Sequence, residues 1–405
     1  MQVEKLRRAL IVTNSELQTF RDCPRKWGFS YHEGLRPRST PKALTFGSAF
    51  HSGVEALYRT IGTLPADEVA EVALAAGLQS IRVAFSQWIE RVEADPTSSI
   101  ESLYADAEEA VATSSWMLRH YVETFRADIT RLVPLGVELP FAVSLRNSRG
   151  RTLPGITHAG VIDLVAYDPA YGDIVVYDHK STSSEIGAID RRVEIDPQMA
   201  GYLNALVETL RGDVSHLVKA ARLREFCPSS DEAARALLSG SAPVGRVSYN
   251  VVRKKMPSVP KVNKDGTVSV AACDTLPGHY RAALEAQEVE RGKPVKPEQT
   301  EFLARLTQRG DTFIGRREFF RTGKEVEEWR SETFEQTRLI RAAERDAALR
   351  YRNPGHCSNP WSLPCSYRSI CLDDAPELRA GFTKSERHSE VQAAVSRESA
   401  ESAGE

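Results

Sequence analysis

The stretches that decide the fold are VIDLVAYD at residues 161–168 and IVVYDHKST at residues 174–182. Both are rich in β-branched and aromatic residues, which favours β-strands. The segment between them, DPAYGD, consists of turn-forming residues, so the pair predicts a β-hairpin. This hairpin would carry Asp163, Asp178 and Lys180 at one end. Carboxylates bind hard divalent cations, and a lysine beside a cation can orient a water molecule.

Composition places the chain among soluble globular proteins, with 405 residues, 41% apolar and 27% charged. No run approaches the roughly 20 apolar residues that span a bilayer. The basic N-terminus lacks the long apolar stretch and cleavage site of a signal peptide, so we expect a cytoplasmic protein with no membrane segment. The net charge of −2 gives no general support for nucleic-acid binding. A DNA-binding surface would come from local basic clusters, such as 253–255 and 316–317.

Apolar periodicity and turn signals predict alternating helical and extended segments along the chain. The predicted helices cover residues 14–33, 44–60, 66–92, 101–128, 196–211, 277–308 and 323–350. The predicted strands cover 136–146, the hairpin at 156–182, 244–255 and 311–322, and a Pro-, Gly- and Lys-rich loop covers 257–275.

Other predicted elements supply polar side chains that could join the hairpin. His51 lies in GSAFH, on a helix before the sheet. Gln198 and Tyr202 are four residues apart, so they share one face of the helix after the Asp-X-Lys strand. They would contact the phosphodiester backbone or hold the lysine in place. Glu138, in GVELPF, begins the strand before the hairpin, and we interpret it as a surface charge rather than a ligand.

The order of these residues is more informative than any one of them. Asp163 and Asp178 would share one or two cations, and a metal-activated water would attack the phosphodiester. His51 would add an imidazole ligand, which favours Mn²⁺ while leaving Mg²⁺ open. The backbone carbonyl of His179 is a further predicted ligand. Lys180 would hold the attacking water and stabilise charge on the phosphate.

This order resembles the RecB-like branch of the PD-(D/E)XK nuclease superfamily. In that branch an early histidine, an aspartate, a (D/E)-X-K strand and a Gln-X-X-X-Tyr helix form the active site. The matching positions here are His51, Asp163, Asp178 with Lys180, and Gln198 with Tyr202. The resemblance implies an α/β fold with a central mixed β-sheet flanked by helices, dependence on Mg²⁺ or Mn²⁺, and cleavage of DNA. Its motifs span residues 47–202.

The cysteines form a second constellation. Three of the six, Cys357, Cys365 and Cys371, lie within fifteen residues of one another. Three thiolates leave a tetrahedral iron or zinc one ligand short, and Cys23 is the natural fourth. A four-cysteine zinc site and unrelated buried cysteines are the alternatives.

The resemblance extends to these cysteines. RecB-like nucleases of the AddB type, and the CRISPR-associated RecB-like exonucleases, carry one cysteine before the histidine motif and three after the nuclease core. Those four bind a [4Fe–4S] cluster that joins the chain ends. The segment 15–24 is similar to the corresponding segment of that family. The resemblance therefore implies a structural [4Fe–4S] cluster on Cys23, Cys357, Cys365 and Cys371.

We predict a single RecB-like nuclease domain over residues 1–383. It would contain a helical insertion at about 61–130, a nuclease core at about 131–255 and an iron–sulfur segment at about 350–375. Residues 384–405 are charged, Ser- and Ala-rich and poor in large apolar side chains, which predicts a disordered tail.

The functional prediction is a Mg²⁺- or Mn²⁺-dependent deoxyribonuclease, an exonuclease acting on single strands or DNA ends in repair, recombination or phage DNA processing. The sequence contains no G-x-x-x-x-G-K-[ST] motif, so a separate helicase or recombination protein would supply any motor. One alternative is a catalytically silent iron–sulfur DNA-binding subunit of a helicase–nuclease complex. Another is a hydrolase of a different phosphate ester.

Overall fold

The structure is a computed structural model that describes residues 10–38, 42–61, 69–93, 103–147, 149–188, 193–210, 244–358 and 364–393. Its strands are β1 (Leu10–Val12), β2 (Leu35–Pro37), β3 (Val133–Arg146), β4 (Thr152–Asp168), β5 (Asp173–Thr182), β6 (Val244–Arg253), β7 (Ile314–Phe320) and β8 (Phe382–Lys384). Its α-helices are α1 (Asn14–Asp22), α2 (Pro24–Trp27), α3 (Lys42–Ile61), α4 (Val69–Glu93), α5 (Leu103–Thr124), α6 (Arg126–Arg131), α7 (Pro197–Leu210), α8 (Pro277–Val289), α9 (Pro297–Arg309), α10 (Gly323–Arg345), α11 (Arg368–Leu372) and α12 (Pro376–Arg379).

A mixed six-stranded sheet lies at the centre of the fold. β4 pairs with β3 and β5 in antiparallel fashion, and the short β1 adds to β4 in parallel. β5 and β6 run parallel, and β7 closes the edge antiparallel to β6. Parallel neighbours need a crossover connection, and α7 lies in the segment between β5 and β6. The predicted α/β fold with a central mixed sheet is therefore correct.

Helices cover both faces of this sheet, because successive side chains along a buried strand point to opposite sides. Val175 and Tyr177 of β5 pack into the core formed with α3, α4 and α5. Val176, between them, packs into the core formed with α7. The helices on the face of Val175 and Tyr177 are α3 and those of the predicted insertion, α4 and α5. Among the described residues, no helix is long and apolar enough to cross a membrane.

The hairpin of β4 and β5 has the predicted arrangement. Leu164 lies opposite Tyr177, and the two strands meet in a tight turn. Arg246 of β6 stabilises the turn end of the hairpin, because its guanidinium donates to Asp168 at 2.7 Å and to Asp173 at 2.8 Å. All three side chains are buried and paired, so the turn end is closed. Asp163 and Asp178 follow directly on the last pair of the hairpin, Leu164 and Tyr177, on the side away from the turn.

The predicted helix at 277–308 is wrong in one respect, since it is two helices. α8 ends at Val289 and α9 begins at Pro297. Gly292 between them has a φ of 61°, a left-handed conformation that favours glycine and ends a helix. The buried amides of Gln287 and Gln299 bond each other at 2.8–3.0 Å and hold the two helices together.

The predicted disordered tail is wrong for residues 384–393, which pack against the body of the protein. His388 and Val391 are 1% and 2% exposed. Glu16 of α1, itself fully buried, pairs with Arg387 and with His388, whose Nε2 is 2.8 Å from Glu16 Oε2. A buried carboxylate needs such partners, so the two chain ends hold each other. Residues 394–405 lie outside the described part of the chain.

Candidate active site

Three neighbouring strands bring one carboxylate each to the same region of the sheet. The register of β3, β4 and β5 places Glu138 and Asp178 on either side of Asp163. The backbone N–H of His179 donates to Asp163 Oδ2 at 2.8 Å, which fixes the Asp163 carboxylate against β5. Like charges this close repel one another, and a divalent cation between them would relieve the repulsion.

His51 reaches this carboxylate row from α3. Its Nδ1 is 3.7 Å from Asp163 Oδ2. One ligand atom from each of His51, Glu138 and Asp163 can be chosen so that all lie within 4.8 Å of one another. Two carboxylates and one imidazole at this spacing fit a divalent cation such as Mg²⁺ or Mn²⁺. Burial lowers the pKa of His51, so its ring is neutral near pH 7, which is the ligating form.

Glu138 belongs to this group, although the sequence favours a surface charge. Its φ is 50°, in the left-handed region that a glutamate rarely adopts. Such strain is found most often at functional sites, where the surrounding structure imposes it. The available signal was its position on the strand that pairs with β4. The strained backbone that aims its side chain has no signature in the sequence.

Lys180 and Asp178 lie on the face of β5 that looks towards α7. Lys180 Nζ is 2.7 Å from Asp178 Oδ2 and donates to Gln198 Oε1 at 2.9 Å. Gln198 in turn donates through Nε2 to Asp178 Oδ1 at 3.1 Å. The three side chains form a closed set of polar contacts. Such contacts lock each rotamer and point the ammonium towards the carboxylate row.

Tyr202 stabilises the contacts among Lys180, Asp178 and Gln198 by bonding to Gln198. Its hydroxyl accepts a hydrogen bond from Gln198 Nε2 at 2.6 Å, and its ring packs edge-to-face on Phe141 with centroids 6.1 Å apart. Only 6% of the residue is exposed. Of the two roles that the sequence predicts for Gln198 and Tyr202, this burial favours holding Lys180 in place over contacting DNA.

The charge states follow from burial and neighbouring charges. Burial raises the pKa of Asp163 well above its usual range, and the Asp178 charge raises it further. Burial alone would lower the pKa of Lys180, but the charges of Asp178 and Asp163 outweigh it and raise that pKa. Lys180 is therefore an ammonium at neutral pH. It can donate hydrogen bonds and stabilise negative charge, but it is not a general base in this state.

The backbone and the side chain of His179 have different surroundings. Its N–H bonds Asp163, and its backbone also lies within hydrogen-bonding reach of the His51 ring. The imidazole points to the opposite face of the sheet, where it stacks on Tyr58 with centroids 5.7 Å apart. The backbone is thus next to the candidate cation site, as the prediction of a carbonyl ligand requires. The ring belongs to the core.

The four cysteines named from the sequence line one cavity of about 60 Å³, between the two ends of the chain. Cys23 follows α1, and its sulfur accepts the backbone N–H of Asn353 at 3.5 Å. The backbone N–H of Cys365 donates to the Cys357 carbonyl at 2.9 Å. Cys371 lies on α11. The ends therefore meet at a pocket of thiols.

The lining of this cavity fits a metal site with four thiolate ligands. Four thiolates can hold either a single tetrahedral zinc ion or a [4Fe–4S] cluster. Cationic side chains also line the cavity, namely Arg25, Lys26, Arg352 and Arg368. They would offset the negative charge of a four-thiolate metal site, whether it holds zinc or an iron–sulfur cluster.

The structure brings together every residue that the sequence assigns to the active site. A family model described as the PD-(D/E)XK nuclease superfamily matches residues 12–372, which is most of the chain. The match runs from β1 to the end of α11, so it includes both the carboxylate row and the cysteine cavity. No curated protein matches the chain.

Proposed function

The chain belongs to the PD-(D/E)XK nuclease superfamily, and from this premise we propose that it is a metal-dependent deoxyribonuclease that degrades DNA from an end. The observation that carries the proposal is the position of the Lys180 ammonium. Its Nζ lies 2.7 Å from Asp178 Oδ2 and 2.9 Å from Gln198 Oε1. The candidate cation ligands His51, Glu138 and Asp163 lie beside it. Hydrolysis of a phosphodiester needs a charged donor beside a cation site.

Mg²⁺ or Mn²⁺ would be held by His51, Glu138 and Asp163, with Asp178 and the backbone carbonyl of His179 adjacent. Bound there, the cation would polarise the phosphodiester and lower the pKa of a water. The donor set supports this assignment, because hard oxygen ligands predominate and the one imidazole tilts the preference towards Mn²⁺.

The remaining side chains would position the substrate and the water. Lys180 would donate a hydrogen bond to a phosphate oxygen or to the attacking water. Gln198 fixes the direction of that ammonium, and Tyr202 fixes Gln198. Asp178 keeps Lys180 charged, so its electrostatic effect on the developing negative charge persists at neutral pH.

The position of Cys23, Cys357, Cys365 and Cys371 around one cavity supports a four-thiolate metal site, which we assign to a [4Fe–4S] cluster, with structural zinc as the alternative. This would place the chain in the RecB-like, iron–sulfur branch of the superfamily. Because the cavity joins the two ends of the chain, the cluster would have a structural role. Without a nucleotide-binding loop in the sequence, the enzyme would depend on a separate helicase or recombination protein to open duplex DNA.

The test is digestion of labelled DNA by the purified protein with Mg²⁺, Mn²⁺ or EDTA. Asp163→Asn and Lys180→Ala should lower the rate at least about a hundredfold, because each removes a group that stabilises the transition state. Lys255→Gln is the control, since Lys255 is exposed and paired with Asp274 at 2.8 Å. Equal activity in all four proteins would trace the cleavage to a contaminant.

Substrate ends decide between exonuclease and endonuclease action. A linear single strand should be degraded and a closed circle should survive, and blocking the 5′ or the 3′ end separately gives the polarity. Cleavage of the circle would replace the exonuclease proposal with an endonuclease. Tight DNA binding without cleavage in either metal would instead favour a catalytically silent DNA-binding subunit.

A further inference from the structure

The turn that joins β3 to β4 is strongly basic. Residues 139–162 contain no Asp, Glu or Lys, and their three arginines, Arg146, Arg149 and Arg151, lie within six residues of one another. Arg149 and Arg151 are exposed. Among the residues that the structure describes, neither guanidinium has an ion pair or a hydrogen bond. Two uncompensated positive charges at one turn favour an anionic partner.

The side chain of Asn147 holds this turn together. Its Oδ1 accepts the backbone N–H of Arg149 at 3.0 Å and that of Arg151 at 2.9 Å. The backbone N–H of Asn147 donates to the Arg151 carbonyl at 2.9 Å, and the Asn147 carbonyl accepts from the Gly150 N–H at 2.8 Å. Gly150 has a φ of 72°, which favours glycine. The two arginines therefore extend from a hydrogen-bonded turn, which reduces the entropy lost when they bind a partner.

The hairpin of β3 and β4 and the helix α7 connect this turn to the candidate active site. α7 begins at the site with Gln198, and its last turn carries Glu208, whose Oε2 is 4.0 Å from Arg146 Nε. Arg330 also pairs with Glu208, at 3.3 Å, so the acidic charge near the turn is compensated. Arg146 follows Glu138 by eight residues along β3, which is about 26 Å of extended strand.

α10 adds a third arginine next to the turn. The guanidinium of Arg341 donates to the Pro154 carbonyl at 3.3 Å. Ile340, its neighbour on α10, packs in one core with Ile156 of β4, which fixes the helix against the hairpin. The acidic residue one turn further along α10, Glu344, is paired with an arginine of the C-terminal segment at 2.7 Å. Arg149, Arg151 and Arg341 thus form a basic surface, which we call the basic turn surface.

We propose that the basic turn surface binds the phosphate backbone of the substrate DNA about eight base pairs from the cut, since duplex phosphates on one strand are about 3.4 Å apart along the axis. The proposal rests on the proposed nuclease function, because it takes the DNA to start at the carboxylate row. Guanidinium groups match phosphate oxygens, and such contacts position DNA without reading its sequence. Duplex DNA is stiff over this distance, so a phosphate there keeps a fixed offset from the scissile bond.

The experiment measures binding of fluorescein-labelled DNA hairpins by anisotropy, with Ca²⁺ in place of Mg²⁺, over a series of KCl concentrations. The double variant Arg149→Gln with Arg151→Gln should bind a stem of about 20 base pairs roughly tenfold more weakly than the wild type. Its slope of log affinity against log salt should fall by about 1.8, the value for two phosphate contacts on a duplex. A stem of about five base pairs would end short of the turn, so there the double variant should match the wild type.

The matched control is Lys261→Gln with Lys264→Gln. Both lysines are exposed and lie in another turn, after β6, so this variant removes the same charge elsewhere. It should leave the affinity and the slope unchanged. Equal losses in the two double variants would show a general effect of net charge and contradict the proposal. All four residues are exposed, so neither variant should change the melting temperature, which checks that both are folded.

Two further variants separate charge from geometry. Arg149→Lys with Arg151→Lys keeps both charges, so the salt slope should stay at the wild-type value. Asn147→Ala keeps both arginines but removes the oxygen that holds their backbone, so it should weaken binding of the long stem and leave the short stem unaffected. A loss on the short stem in either glutamine or alanine variant would mean that the turn acts at the active site itself, which contradicts the proposed distance.

The outcomes also separate this proposal from the nuclease proposal. If the wild type cleaves DNA and the arginine double variant matches the lysine control on the long stem, the basic turn surface does not bind DNA and the nuclease stands. If the wild type cleaves nothing, but only the arginine double variant loses affinity and slope, the DNA contact stands without the nuclease. Absence of any DNA binding by the wild type overturns the DNA contact.

Discussion

Lys180 Nζ donates to Gln198 Oε1 at 2.9 Å, across the gap between β5 and α7. The same amide donates through its nitrogen to Asp178 at 3.1 Å. Gln198 thus accepts a hydrogen bond from the Lys180 ammonium through its oxygen and donates one to the Asp178 carboxylate through its nitrogen. An amide does not titrate, so Gln198 offers the same donor and acceptor to its two neighbours at any pH.

The first prediction concerns this glutamine. Gln198→Ala should lower kcat about 10–100-fold, the usual effect of losing a group that orients a catalytic residue. The affinity for DNA should change little, because Lys180 keeps its charge. Steady-state kinetics on a single-stranded substrate separates kcat from KM.

Tyr202→Phe is the matched variant for that experiment. It removes the hydroxyl that accepts from Gln198 at 2.6 Å and keeps the ring that packs on Phe141. It should cost less than Gln198→Ala. A larger loss with Tyr202→Phe would mean that the hydroxyl acts on the substrate, which contradicts the positioning role.

The second prediction concerns Glu138 and its φ of 50°. Glu138→Gly should lose metal affinity, yet its melting temperature without metal should not fall. Glycine adopts this φ freely, which relieves roughly 1 kcal/mol of strain, and carboxylate repulsion with Asp163 disappears as well. Calorimetric titration with Mn²⁺ and thermal unfolding in EDTA measure the two effects.

Glu138→Gln supplies the complementary control, because it keeps the strain and changes the charge. It should also weaken Mn²⁺ binding, and it should lose the carboxylate repulsion but not the backbone strain, so its melting temperature without metal should lie below that of Glu138→Gly. Unchanged Mn²⁺ affinity in both variants would show that Glu138 is a surface charge, as the sequence alone suggests.

Much of the fold follows from local sequence signals. The hairpin was readable because apolar strands flank turn formers, and α7 because Asp196 caps it. The backbone N–H of Gln198 donates to Asp196 Oδ1 at 2.8 Å. Such signals act over a few residues, so one sequence contains them whole.

The features that the sequence does not predict have a different physical origin. The left-handed backbone at Glu138 is imposed by the strands around it. By composition, Arg387 and His388 are typical of a solvated tail. In the structure they pair with the buried carboxylate of Glu16, which lies near the other end of the chain. Long-range pairing of this kind leaves no local pattern, so propensity cannot find it.

The third prediction concerns the cysteine cavity. Protein purified without oxygen should contain iron and acid-labile sulfide and absorb visible light. Cys23→Ala and Cys371→Ala should each lose this absorption and unfold at lower temperature, because they remove ligands from opposite ends of the chain. Metal analysis and visible spectroscopy measure these changes.

Cys273→Ser is the control, since Cys273 packs with the core of α8 and α9, away from the cavity. It should keep the absorption. A colourless wild-type protein with one zinc per chain would contradict the cluster and favour the four-cysteine zinc site instead.

The fourth prediction concerns the pH dependence of stability. Burial alone would lower the pKa of His388, but its bonds to Glu16 and Glu390 outweigh burial and raise it. A histidine whose pKa is higher in the folded state stabilises the fold fully below its unfolded value of about 6.5. That contribution is lost as the pH rises through the raised pKa. His388→Asn keeps the backbone, because asparagine tolerates the φ of 58°.

The difference in unfolding free energy between wild type and His388→Asn should therefore be largest at mildly acidic pH and shrink towards alkaline pH. Urea unfolding at a series of pH values measures it. Arg387→Gln is the contrasting variant: it removes another partner of Glu16, and because the Arg387 charge lowers the pKa of His388, its cost should be smallest at mildly acidic pH and grow towards alkaline pH. If the His388→Asn difference grows as the pH rises, His388 is neutral in the fold and its pairing with Glu16 does not stabilise the chain ends.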